Sequence, residues 1–343
     1  MLEDEESRNI YLNRLNYLVS GDKKYITNIV TTYVPSLPPL CGKSVDDLLF
    51  QIPHDNGLVL FGAGRYAEES LNIWAQDKRF IGFCSSTKEK QESGFLGYSV
   101  MSPEKLLERK DLSVVISTIN ARDEIMQILR EGKYPEKLIF DLAPYITAQE
   151  QGQYFNPPFI TYGENEVFID AGCYDMGTAL ELKKRCGTLK KVYAFEPDKE
   201  NYARCAARVS RMEPVDVKLL PVGTWSEKTT LHFDALGTGS SRVAENLSDA
   251  VSVPVMPIDE GVDPKDNITF IKMDVEGAEL ESLKGAQKTI QRDKPKLAIC
   301  IYHKPEDMTQ IPLYIKKLVP EYKLYVRHHS NSVAETVLYA VMP

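Results

Sequence analysis

Long apolar runs, paired cysteines and an excess of basic charge are all missing from this chain. No stretch approaches the ~20 apolar residues that a membrane-spanning helix needs. The acidic start MLEDEESRNIYL also lacks the basic-then-apolar layout of a secretory signal, so a cytoplasmic location is expected. Asp and Glu outnumber Lys and Arg, 49 to 41, for a formal net charge of -8, and basic residues are dispersed along the chain. That excludes the basic footprint that nucleic-acid binding requires. Neither nucleic acid nor a membrane is expected as a partner. The six cysteines (Cys41, Cys84, Cys173, Cys186, Cys205, Cys300) form no C-x-x-C pair and no cluster with histidine. Such spacing fits reduced thiols better than a disulfide framework or a zinc site, and no metal is assigned.

What is present fits a globular α/β protein. With 343 residues, 43% of them hydrophobic and 26% charged, the chain can build two α/β domains with a small helical addition. Residues 1–50 read as a helical N-terminal segment, with Tyr11, Leu12, Leu15 and Leu18 at helical spacing and a stop at Gly21-Asp22. Pro35 to Gly42 (PSLPPLCG) reads as a turn-rich connector. Residues 51–148 then alternate short apolar strands (GLVLF, FIGFC, SVVIS, KLIF) with helices, the pattern of a Rossmann-like parallel sheet. A shift to AQEQGQYFNPPFITYG marks a boundary, and residues 149–343 begin a second doubly wound sheet. Its strands are Val167–Asp170, Lys191–Phe195, Val217–Val222, Phe270–Asp274 and Lys296–Tyr302, with a closing antiparallel hairpin of Lys323–Arg327 and Thr336–Val341. Thr229–Phe233 reads as an inserted hairpin strand. Seven strands with that ending match a methyltransferase sheet better than a dehydrogenase one.

Binding S-adenosylmethionine asks three things of such a sheet: a small residue after the first strand, an acid after the second to meet the ribose hydroxyls, and polar groups at the fourth strand's tip. The sequence supplies them in order as Asp170-Ala171-Gly172, Glu196 and Asp274-Val275-Glu276-Gly277. Each alone is a common loop feature; the ordered set is specific. Cys173, Pro197 and Val222, beside these turns and at the end of the third strand, complete the cofactor-binding set of Asp170, Gly172, Glu196 and Asp274.

The stretch IKMDVEGAELESLKGA (Ile271 to Ala286), with VFIDAGCYD before it and ICIYHKPEDM after it, resembles the FkbM family of methyltransferases. The ending YKLYVRHHSNSVAETVLYA is similar to that family's last strands, so the resemblance runs from about Val167 to the C-terminus. It implies S-adenosylmethionine-dependent O-methylation, typically of a hydroxyl on a sugar, nucleotide sugar or secondary metabolite. Where family members carry a second glycine, six positions after the first-strand acid, this chain has Met176. Either the turn shifts by one residue or Met176 packs against the ligand.

Because the sulfonium is already activated, the protein must align the reactants and take up a proton. Asp274, at a strand tip facing the crevice, is the leading general base, although an acid there also suits a helix N-terminus. Glu276 would fill the same structural role or orient the acceptor, and His303, after the fifth strand, has a suitable ordinary pKa. Glu279 reads first as a helix-start acid, and His328-His329 would need further ligands to hold a metal. Asn156-Pro157-Pro158-Phe159 resembles the N-P-P-[YF] docking motif of amino-group methyltransferases. It lies too close to the first strand for that role and reads as a linker turn.

In the first sheet, Gly62-x-Gly64-x-x-Ala67 fits a phosphate-cradling turn. A nicotinamide site would also want an acid about 20 residues on, and that region is Phe83-Cys84-Ser85-Ser86-Thr87. This unit resembles nucleotide-sugar-associated Rossmann domains, or it binds nothing and serves packing or homo-oligomerisation. Two rivals to the methyltransferase reading remain: an oxidoreductase using this turn, and a binding module that kept the cofactor fold without turnover.

Overall fold

Leu58–Phe61 (LVLF) and Ser113–Ile116 (SVVI) are apolar almost throughout and buried at every position. Strands of that kind must be covered on both faces, which is the signature of a parallel sheet. A computed structural model describes residues 1–34, 50–75, 77–119, 121–234, 250–330 and 333–343. Two compact units emerge: Pro35–Glu150, and Met1–Val34 together with Gln151–Pro343.

The smaller unit holds β1 (Leu58–Phe61), β2 (Phe80–Cys84), β3 (Val100–Met101), β4 (Ser113–Ile116) and β5 (Ile139–Asp141) in the order β3-β2-β1-β4-β5. All pairings are parallel. The two-residue β3 is too short to show periodicity in sequence. The helix expected after β1 forms as two short pieces, Arg65–Glu69 and Leu71–Trp74.

The larger unit is built on seven strands: β6 (Glu166–Ala171), β7 (Leu189–Phe195), β8 (Asp216–Leu220), β12 (Phe270–Met273), β13 (Lys296–Cys300), β14 (Lys323–His328) and β15 (Thr336–Val341). Their order is β14-β15-β13-β12-β6-β7-β8, with β15 antiparallel to both neighbours and the rest parallel. Between β8 and β12 lies a small sheet of β9 (Gly223–Thr224), β10 (Thr229–Asp234) and β11 (Ala250–Met256). β10 and β11 pair antiparallel, which places Thr229–Phe233 in a two-stranded ribbon. The fold is thus mixed α/β, with a parallel five-stranded and a mixed seven-stranded sheet.

β6 and β12 lie side by side at the centre, while the chain leaves β6 toward one edge and β12 toward the other. Ligands of open α/β sheets bind in the crevice outside the carboxyl ends at such a switch point. Gly172 sits there at φ 76°, and a Cβ on it would lie 1.9 Å from the Asp274 carbonyl oxygen. Only glycine lets the tips of β6 and β12 meet.

The first helices do not stand apart, as the sequence reading had them. α1 (Glu5–Ser20) starts at an Asp4 cap that accepts from the Ser7 N–H, and ends at a left-handed Gly21. Leu2 bridges to Leu324 on β14, and Arg327 holds Asp4 at 2.6 Å and Glu6 at 3.2 Å. Ile10 of α1 and Ile26 and Ile29 of α2 (Lys24–Tyr33) join the core on one face of the seven-stranded sheet. Residues 35–49, including the whole of the expected connector, lie outside the described residues.

Candidate active site at the carboxyl edge of the seven-stranded sheet

Register does much of the assembly. Parallel pairing sets Lys272 of β12 directly beside Asp170 of β6. Both side chains are buried, with Lys272 Nζ 3.2 Å from Asp170 Oδ1 and donating to the Gly172 carbonyl at 2.6 Å. Burial pushes the Asp170 carboxyl up to about 6, partly offset by Lys272. Burial would lower the Lys272 ammonium, but Asp170 and Asp274 more than reverse it and keep it charged. Asp170, expected from the sequence to meet the cofactor, thus has a buried ammonium as its counter-ion at the tip of β6. Lys272 was missed, although a lone lysine in the apolar run FIKMD was a visible signal.

Glu196, beyond β7, turns its carboxylate to the loop after β6. Oε2 accepts from the Tyr174 N–H at 2.8 Å and Oε1 from the Asp198 N–H at 3.0 Å. Burial raises its pKa, while these backbone donors act to lower it. A carboxylate has about four lone-pair sites, and the Asn201 side chain takes up part of what these two bonds leave. Pro197 and Val222 flank the acid, both half-buried. Cys173 points its thiol into the core, 3.5 Å from Cys205 Sγ, which leaves its backbone at the turn. Met176 takes the left-handed conformation itself (φ 66°) and buries its side chain completely in the core.

Beyond β12 and β13, five side chains converge. The Tyr154 hydroxyl donates to Asp274 Oδ2 at 2.9 Å. His303 Nε2 lies 3.5 Å from Asp274 Oδ1 and 3.5 Å from Glu276 Oε2, and its Nδ1 lies 2.8 Å from Glu279 Oε1. Glu279 is fully buried and also accepts from the Val275 N–H, so the helix-start acid doubles as the anchor of the imidazole. Glu276 stands at φ 53° with an exposed side chain. Burial alone would raise Asp274, but Lys272, His303 and the Tyr154 hydrogen bond hold it below the usual carboxylate range. Burial would depress His303, but Glu279, Asp274 and Glu276 raise it to about 9. Burial raises Glu276, with His303 opposing. Tyr154 and its neighbour Gln153, which donates to Glu335 at 3.0 Å, were missed. They precede β6 by a dozen residues, and no spacing announces their reach.

The other candidates resolve structurally. Asn156 accepts from Arg185 at the far end of the Gly177–Arg185 helix, and Phe159 stacks on Tyr325 at 4.0 Å. His328 pairs with Thr336 and His329 with the Tyr339 hydroxyl. In the smaller unit, Gly62 takes φ 119° and the Ala63 carbonyl accepts from Lys90. The end of β2 carries Ser85, and no carboxylate stands there.

In an open α/β sheet, polar groups gathered at the switch point stand where a ligand over the strand tips would be held. Residues 170–328 match the model of the methyltransferase FkbM domain. Among solved structures, the chain is similar to a methyltransferase FkbM from Methylobacillus flagellatus KT. That match has 19% identity and a TM-score of 0.51, covering 96% of this chain and 98% of the other. It shows a shared fold across both units. An rRNA methylase from Streptococcus thermophilus (17% identity, TM-score 0.35, 52% of this chain and 89% of that one) is more distant. So is Aeropyrum pernix fibrillarin with bound S-adenosyl-L-methionine (12% identity, TM-score 0.35, 58% and 74%). No curated protein matches the sequence. Among the described residues, no helix is long and apolar enough to cross a membrane.

Proposed function

We propose that this protein is an S-adenosylmethionine-dependent O-methyltransferase acting on a hydroxyl of a sugar, nucleotide sugar or secondary metabolite. The observation that carries this reading is the grip of the β6 turn on Glu196. The carboxylate is tied to the Tyr174 and Asp198 N–H groups and keeps capacity to accept from a ribose hydroxyl. Gly172 and the Cys173 backbone supply the close approach, Pro197 and Val222 flank the nucleoside, and Asp170 acts at one remove by holding Lys272. The excess of carboxylates around Asp274 also favours a sulfonium cation over a neutral ligand.

When bound, the cofactor supplies an electrophilic methyl group. Asp274 Oδ1 accepts a hydrogen bond from the acceptor hydroxyl and orients it, while Tyr154 fixes the carboxylate through Oδ2. A carboxylate held low is a weak base. That is sufficient here, because the oxygen becomes strongly acidic as it is methylated and releases its proton late to Asp274 or to the more basic Glu276. His303, anchored by Glu279, stands beside both.

Calorimetry with S-adenosylhomocysteine tests the reading. Wild-type protein is expected to bind, and Glu196→Ala to bind about 30-fold more weakly, near the ~2 kcal/mol of hydrogen bonds to a charged group. No heat at millimolar ligand would sink the assignment. Labelled cofactor with a panel of hydroxylated sugars then identifies the acceptor.

A further inference from the structure

His303 combines three features that point to a metal. Its side chain is only 8% exposed. Neither ring nitrogen makes a hydrogen bond of acceptable geometry. Nε2 aims between two carboxylates at 3.5 Å from each, too long for hydrogen bonds. On the opposite side of the ring, Nδ1 faces the fully buried Glu279 at 2.8 Å. A carboxylate behind one imidazole nitrogen, with the other nitrogen aimed at anionic oxygens, is the carboxylate–histidine–metal arrangement.

We propose that Asp274, Glu276 and His303 bind a divalent transition-metal cation. One ligand atom from each lies within 4.8 Å of the others. Two atoms bound to one tetrahedral ion at about 2.0–2.1 Å stand about 3.3 Å apart, so the two histidine separations need little adjustment. The Asp274–Glu276 gap closes by rotating Glu276, whose side chain is 64% exposed and free to move. Charge balance agrees. Four carboxylates, those of Asp170, Asp274, Glu276 and Glu279, share the Lys272 ammonium and one imidazole. One nitrogen and two carboxylate oxygens suit Mn2+ or Zn2+ better than Cu(I), which wants thiolates, or Ca2+, which wants oxygen alone. Three protein ligands leave a position open, where a hydroxyl oxygen would be polarised. That chemical use rests on the methyltransferase reading; the binding itself does not.

The experiment is a titration of full-length, chelator-treated protein with Mn2+ at fixed pH, with the free ion followed by electron paramagnetic resonance. One ion per chain is expected. His303→Ala and Glu276→Gln should each weaken binding at least tenfold. Glu276→Gln is the cleaner variant, since an exposed side chain can be changed without disturbing the fold, and thermal melts verify this. Absence of saturable binding, or wild-type affinity in Glu276→Gln, overturns the proposal. Calorimetry with S-adenosylhomocysteine on the same samples keeps the two readings apart. Nucleoside binding without Mn2+ binding removes the metal and leaves the methyltransferase. Mn2+ binding without nucleoside binding supports the metal and removes the methyltransferase.

Discussion

The two sheets of this protein begin alike and end differently. Each has a glycine turn after its central strand, at Gly62-Ala63-Gly64 in one and Ala171-Gly172-Cys173 in the other. Around the first turn stand Lys90 and a serine at the next strand end. Around the second stand Glu196, a buried Lys272–Asp170 pair and a knot of acids on His303. What differs between the two units at these turns is a handful of side chains at strand tips.

The contrast can be broken most severely at Lys272. Lys272→Met leaves Asp170 buried without its counter-charge and is expected to cost about 3–5 kcal/mol in urea unfolding. Adding Asp170→Asn should recover much of the loss; an unchanged midpoint in the single variant would show the pair to be idle. The glycine turns come next. Gly172→Ala drives a methyl into the Asp274 carbonyl, while Gly64 has φ −141° and nothing within 4 Å of an added Cβ. Alanine at 172 should abolish nucleoside binding and lower stability by more than 2 kcal/mol, whereas at 64 the change should stay within about 0.5 kcal/mol. Equal effects would dissolve the distinction between the turns.

The smallest effect lies at His329. Burial holds this imidazole down to about 3, below its unfolded value of about 6.5. The folded state therefore takes up its proton later than the unfolded chain. The stability this contributes is full above pH 6.5 and is lost as pH falls toward 3. His329→Gln, which can still meet the Tyr339 hydroxyl, should flatten the stability profile between pH 6.5 and 5 by about 1–2 kcal/mol. An unaltered slope would count against a neutral, buried His329.

Much of this was legible in the chain, for reasons that differ by residue. Buried parallel strands read as apolar runs, so β1, β2, β4, β6, β7, β12 and β13 announced themselves, and so did the acids that follow them. β3 is too short for any period, and β11, with Pro254 within it, is broken by the residue least suited to a strand. At the site, Asp274, Glu276 and His303 were found because each follows a strand. Tyr154 and Glu279 were missed as partners because their contacts depend on how helices and loops return, which no local pattern encodes. For Asp170 the sequence shows that an acid ends a strand, not that a lysine with five strands intervening along the chain lies in register beside it.

The docking of the first 34 residues onto β14 has a bearing on how the chain comes into being. As it emerges from the ribosome, α1 and α2 must wait while some three hundred later residues are made before Leu324 and Arg327 exist to receive them. The five-stranded unit, encoded in one continuous stretch, can mature meanwhile. The N-terminal helices are therefore born early and settled last, and during that interval their apolar faces depend on other company, such as a chaperone.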